Sequence, residues 1–130
     1  MIIMQKFELV HPCEENDYHA FDLFFENDPL VLFHMTPKTN LHSIEMHGFK
    51  SGKVLGVGEN DSVSYAKSSK GCFAHKGTHF LEDQVIIAAK FDTLDKDRVK
   101  IDIDDVYVYD INIQPSILGY CELPKGYKIV

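Results

Sequence analysis

The chain has 130 residues, 45% of them hydrophobic, and a formal net charge of −7. That is enough apolar side chain to pack one domain, taken as residues 1–130, and it excludes an intrinsically disordered chain. The negative balance argues against a nucleic-acid binder, whose phosphate contacts need a basic face, although Lys50, Lys53, Lys67, Lys70 and Lys76 gather in the middle while most acids fall at residues 14–28 and 82–110.

In chain order, residues 2–10 read as a first strand. Residues 14–26 read as a helix with Tyr18, Phe21 and Phe25 on one face. Pro29 precedes a strand at 30–34. In "TNLHSIEMHGF", Thr39 or Asn40 caps a helix with Leu41 and Ile44 on its apolar face, and Gly48 closes it. Residues 53–57 read as a short strand and "DSVSYAKSSK" as a helix capped by Asp61 or Ser62. Residues 71–83 carry no decisive pattern. "QVIIAAKF" is a strongly apolar strand, "DTLDKDR" a polar loop, and "VKIDI" and "DVYVYD" alternate as strands. "PSI" begins a turn, and residues 119–123 and 127–130 finish the sheet. Many strands with two or three helices define an α+β fold.

Three widely spaced cysteines, Cys13, Cys72 and Cys121, form no disulfide framework and point to a reducing, cytoplasmic setting. The N-terminus has no signal-peptide architecture. The longest apolar runs, such as residues 85–89, are too short to cross a bilayer, so no membrane partner is expected. "CFAHKGTH" spaces Cys72, His75 and His79 as zinc ligands would be, but the neighbourhood offers no fourth ligand, and no metal site is expected. "GVGEN" lacks the Gly-Lys-Ser/Thr that opens a phosphate-binding helix.

The chemically richest stretch is "VLFHMTPKTNLHSIEMHGFKSG", residues 31–52. A strand end is a rigid platform, and a ring held there can aim a nitrogen into a cleft. Thr36 adds a hydroxyl on the same side as His34 if the strand continues, and the following helix packs behind through Leu41 and Ile44. That suits hydrogen bonding to a ribose or a phosphate. The plainer alternative is a partly buried histidine satisfied by its surroundings.

"LFHMTPKTNLHSIEMHGFKSG" resembles the first motif of the ADP-ribosyltransferase superfamily, as found in the rifampin ADP-ribosyltransferases and the DarT DNA-modifying toxins. The resemblance implies that His34 binds a ribose hydroxyl of NAD and that Met35, where glycine is commonest, offers its backbone to the nicotinamide amide. "DVYVYDINIQPSILGYCEL" is similar to the last motif of the poly(ADP-ribose) polymerase branch. It puts Asp105 where the superfamily has a catalytic glutamate, one methylene longer. A carboxylate there would stabilise an oxocarbenium-like ribose. Without the resemblance, Asp104 and Asp105 read as a solvated turn. Between these motifs the superfamily places a tyrosine on the strand after the first helix, then a serine- or alanine-bearing helix. "KVLGVGENDSVSYAKSS" is the best match, with Tyr65 on the helix supplying the stacking face. A register using Phe73 leaves little room for a helix before Val85. Residues 1–28 have no counterpart.

The resemblance implies an ADP-ribosyltransferase-like split two-sheet β core with a few packed helices. It implies NAD as substrate, held between His34 and Asp105, with His34 and Thr36 on ribose, Tyr65 on nicotinamide and Asp105 supporting the transferred ribose. The expected activity is NAD-dependent mono-ADP-ribosylation that releases nicotinamide. A protein acceptor suits the acidic surface better than DNA; a small molecule or a nucleic acid stays open. The alternatives are a catalytically silent member that binds a partner through the same cleft, and an RNA 2'-phosphotransferase, which needs arginines where this chain has only Arg98.

Overall fold

The computed structural model describes residues 4–56, 58–76 and 80–127. The two most apolar runs become the central strands. β1 (Val31–Pro37) and β3 (Gln84–Lys90) pair antiparallel along their whole length, from Val31 opposite Lys90 to Pro37 opposite Gln84. Nearly every residue of both is buried, because each face of the sheet is covered. β6 (Ser116–Leu123) flanks β3 on one side. On the other side of β1 lie β2 (Val63–Ala66), β5 (Asp105–Val108) and β4 (Val99–Ile101). The result is one six-stranded antiparallel sheet, ordered β4-β5-β2-β1-β3-β6, in a mixed α and β chain with few helices.

The joint between β1 and β2 is unlike the others. Their ladder consists of one register position, Phe33 opposite Ala66. The β2–β5 pairing, by contrast, runs from Val63 opposite Val108 to Ala66 opposite Asp105.

Strand alternation sorts the core into two layers. Phe33, Met35, Ile86, Ala88, Cys121 and Leu123 share one layer, closed by Phe7, Phe21 and Phe25 from the N-terminal segment and by Cys72 and Phe73 from α4 (Ser69–Lys76). Leu32, Tyr65, Val85, Ile87 and Val106 share the other, where Leu41 and Ile44 of α2 (Leu41–His47) and Phe49 pack. Ser69 locks the first layer. Its hydroxyl accepts the Ala20 N–H at 2.7 Å and donates to the Glu26 carboxylate, while its own N–H donates to the other carboxylate oxygen at 3.0 Å. Ser69 is fully buried, and these three hydrogen bonds satisfy both its hydroxyl and its N–H.

Several local expectations differ from the structure. The helix over 14–26 is broken into a 3-10 turn at Glu14–Asn16 and the single turn α1 (Leu23–Glu26). Asp17 and Tyr18 between them adopt φ of 56° and 59°, which no right-handed helix accepts. Residues 53–57 are not a strand: α3 (Gly52–Leu55) is a helical turn capped by the Ser51 hydroxyl on the Val54 N–H, and Val57 lies outside the described residues. "DSVSYAKSSK" is strand β2 followed by the start of α4, because Val63 and Tyr65 pair with Val108 and Val106 of β5. "PSI" opens β6 instead of a turn. Residues 2–10 contribute one parallel bridge, Lys6 to Tyr120, with residues 1–3 outside the description. The strand expected at 127–130 also falls outside the described residues, apart from Tyr127, which is not in a strand. Asn40 stands at the start of α2, but its side chain donates to Thr36 Oγ1 instead of capping the helix.

That single bridge explains Gly119. The β3–β6 register shifts between Ala88 and Ala89, leaving Leu118 as the extra residue of a bulge, and Gly119 beside it has φ of 155°. A Cβ at Gly119 would strike the Phe7 ring and lie 2.6 Å from the Gln5 carbonyl. Gly119→Ala is therefore expected to destabilise the fold by about 1–3 kcal/mol, through overpacking against backbone. Urea unfolding of the two proteins measures it; an unchanged midpoint would mean that the N-terminal segment does not sit on β6.

Candidate functional site

The β1–β2 ladder ends at Phe33, and the next residue is His34. Its Nδ1 lies 2.8 Å from the Ser64 carbonyl oxygen of β2. A carbonyl only accepts, so Nδ1 carries the hydrogen, and in the neutral ring Nε2 keeps the lone pair. A side chain thus serves a backbone acceptor at the place where the two strands stop pairing.

Aromatic packing fixes the ring further. Phe49 meets His34 edge to face with centroids 5.2 Å apart, and Tyr65 lies 5.7 Å from it. Phe49 and Tyr65 are 5.3 Å apart, and Phe91 stands at 88° to Tyr65 on its far side. Tyr65 is 1% exposed, and burial pushes its phenol far above the ordinary value, so it is a neutral group.

Around this cluster opens a cleft of about 760 Å³. His34, Met35, Thr36, Tyr65 and Asp105 all line it, although Tyr65 belongs to one core layer while Met35 and Ala66, the partner of Asp105, belong to the other. Met35 and Thr36 are buried, and Thr36 Oγ1 accepts from Asn40 Nδ2 at 2.9 Å. Lys50, Asp61, Ser64, Lys100 and Tyr107 add polar groups to the wall, with the Lys100 ammonium 5.6 Å from the Tyr107 ring centroid. Tyr65 sits on a strand here, not on the helix expected for it, because its segment is paired on β5.

Asp105 is half-buried at the head of β5, opposite Ala66. The register therefore puts Val106, not Asp105, opposite Tyr65. The residue before it, Asp104, is exposed, and its carbonyl accepts the Lys67 N–H at 2.9 Å. That bond fixes the turn from β2 into α4 beside the cleft.

Cys72 also lines the cleft from α4. Burial pushes its thiol well above the ordinary value, the Glu26 and Asp105 carboxylates add to the rise, and a backbone bond from Met35 opposes it. Burial likewise pushes Cys121 up to about 12. Of the zinc spacing considered above, His79 and the His75 side chain lie outside the description. Among the described residues, no group of three or more His, Cys, Asp or Glu is placed to hold a metal, and no helix is long and apolar enough to cross a membrane.

Nothing in the sequence pattern marks Phe49, which follows the Gly48 that closes a helix. Its aromatic character just after Gly48 is the available signal. Lys100 and Tyr107 lie on strands recognised as alternating, but nothing local marks them as cleft residues. Among known proteins, no family model, no curated protein and no solved structure matches the chain.

The thiols give a direct check on this geometry. All three cysteines are free, with Cys13 half-buried and Cys72 and Cys121 buried. At pH 8 iodoacetamide is expected to modify Cys13 first, and Cys72 and Cys121 only on unfolding, since thiolate is the reactive form. Peptide mass mapping of native and urea-treated protein reads this. Rapid native labelling of Cys72 would contradict its buried place behind the cleft.

Proposed function

We propose that the protein is an NAD-dependent mono-ADP-ribosyltransferase that modifies a protein side chain and releases nicotinamide. The supporting observation is the meeting of His34, Met35, Thr36, Tyr65 and Asp105 in one cleft. The motif resemblance named these five residues, and they come from three different strands. Two features add to it. Tyr65 falls on the strand after α2, followed by a helix that begins with serine, as in the superfamily's middle motif. The one-position joint of β1 and β2 fits a split two-sheet core, with the cleft at the split.

NAD lies in the cleft as substrate. His34 meets a ribose hydroxyl, and its Nδ1 bond to Ser64 holds the ring in place. Thr36, steadied by Asn40, stands two residues further along β1. Lys50 and Lys100 offset the diphosphate charge. Tyr65, with almost no exposed face, backs the His34 ring instead of stacking openly on nicotinamide. The glycosidic C–N bond breaks, and nicotinamide leaves with the bonding pair. Positive charge develops on the ribose, and the Asp105 carboxylate stabilises it. The acceptor's nucleophile then bonds to the anomeric carbon and gives up its proton to solvent water. The cytoplasm is the proposed compartment, in keeping with three free thiols.

One observation favours a second reading, a silent member that binds a partner through this cleft. Asp105 is opposite Ala66, one position out of the Tyr65–Val106 row. Arg98, which a 2'-phosphotransferase would need in the cleft, is instead 3.2 Å from Asp110 beside a different cavity.

His34→Ala is expected to weaken NAD binding by roughly 1 kcal/mol or more while the protein stays folded, the net contribution of a hydrogen bond. Calorimetric titration beside thermal melts separates this from a core defect, in which the melting temperature falls and NAD affinity is unmoved. Asp105→Asn is expected to lower nicotinamide release on the order of a hundredfold with NAD binding retained, because the charge acts in the transition state. The same assay on Asp104→Asn settles the assignment. Loss there with an intact Asp105→Asn moves the role to Asp104, and turnover unchanged in both removes it from this pair.

A further inference from the structure

We propose that Gln114, on the loop before β6, is a positioning residue for the cleft and acts through Phe49 on the His34 ring. The inference rests on the reading of that cleft as the functional site. Gln114 belongs to neither the strand nor the helix framework. Yet its Oε1 accepts the Phe49 N–H at 2.9 Å, and its Nε2 donates to the Phe49 carbonyl at 2.9 Å and the Ile111 carbonyl at 2.8 Å. The primary amide has one oxygen and two N–H donors, and every one is engaged. Two of the three bonds grip the main chain of Phe49 as a neighbouring strand would.

The grip is built into the chain before it. Gly48 closes α2 with φ of +77° and its N–H on the Ile44 carbonyl. A Cβ at Gly48 would sit 2.7 Å from Gln114 Oε1. Glycine is therefore required twice at this position, for the left-handed turn and for room to admit the amide. Phe49 leaves the clamp with its ring 2% exposed, between His34 at 5.2 Å and Tyr65 at 5.3 Å. Phe49 is the packed surface that stops the His34 ring from turning away from Ser64. Gln114 itself is on the surface, so replacing it removes the clamp without opening the core.

The test compares wild type, Gln114→Met, Gln114→Glu and Phe49→Leu. Methionine keeps the length and loses all three bonds. Glutamate keeps only the acceptor for the Phe49 N–H. Phe49→Leu keeps the clamp and removes the ring, so it tests the second link even if a Gln114 variant folds poorly. Ring 15N and 1H signals of His34, assigned with His34→Ala, report the Nδ1–H tautomer without any ligand. NAD titration and thermal melts complete the set.

The expected result is a folded Gln114→Met with shifted His34 ring signals and NAD affinity lowered about fivefold to tenfold, the size of one or two net hydrogen bonds. Gln114→Glu should fall between it and wild type, and Phe49→Leu should show the same His34 signature. Unchanged His34 signals in the folded variants, with only the melting temperature lowered, would overturn the proposal and leave Gln114 a brace for the loop. A wild type that does not bind NAD would remove the transferase reading instead. The His34 signals would then decide the positioning role alone, displaced for it and unmoved against it.

Discussion

The structure turns on the place where β1 and β2 stop pairing. Two strands that continued their ladder past Phe33 and Ala66 would close the sheet and leave no cleft. Stopping the ladder leaves a backbone acceptor of β2, the Ser64 carbonyl on its exposed side, without a strand partner on β1. His34 resolves the conflict by giving its Nδ1–H to the Ser64 carbonyl. The same bond holds the ring that the transferase reading places on ribose.

The remaining parts hold that opening in shape. On one face, Phe49 and Tyr65 wedge the ring, with Phe91 behind Tyr65. On the other face, Ser69 and Glu26 bind α4 to the N-terminal segment, and α4 brings Cys72 to the wall of the cleft. The N-terminal residues lie outside the superfamily resemblance, yet Phe7, Phe21 and Phe25 complete a core layer. Their contribution is to rigidity behind the site. The charge pattern is also local: on a chain of net charge −7, the cleft wall carries Lys50 and Lys100, beside Asp61 and Asp105.

Much of this was legible where a residue's role depends on near neighbours. The apolar runs of β1 and β3, the alternation of β5 and the Gly48 close of α2 follow from periodicity and turn chemistry. Tyr65 reads as helical because Ser64, Ala66 and Lys67 give its segment no strong strand signal. Its pairing with Val106 decides the matter, and that partner is far away in sequence. The break at Asp17 and Tyr18 is similarly hidden, since polar residues at 14–17 suit a helix start and only their positive φ ends it. His34, Met35, Thr36 and Asp105 could be singled out from motif resemblance. Phe49 and Gln114 could not, because their roles arise from a contact between a loop and a helix end.

The central claim is that this cleft breaks the glycosidic bond of NAD. The most direct measurement is nicotinamide released when the pure protein is incubated with labelled NAD, alone and with a protein extract. Release that rises with the extract and leaves label on protein is the result expected of a mono-ADP-ribosyltransferase. No release under either condition, together with no detectable NAD binding, would contradict it.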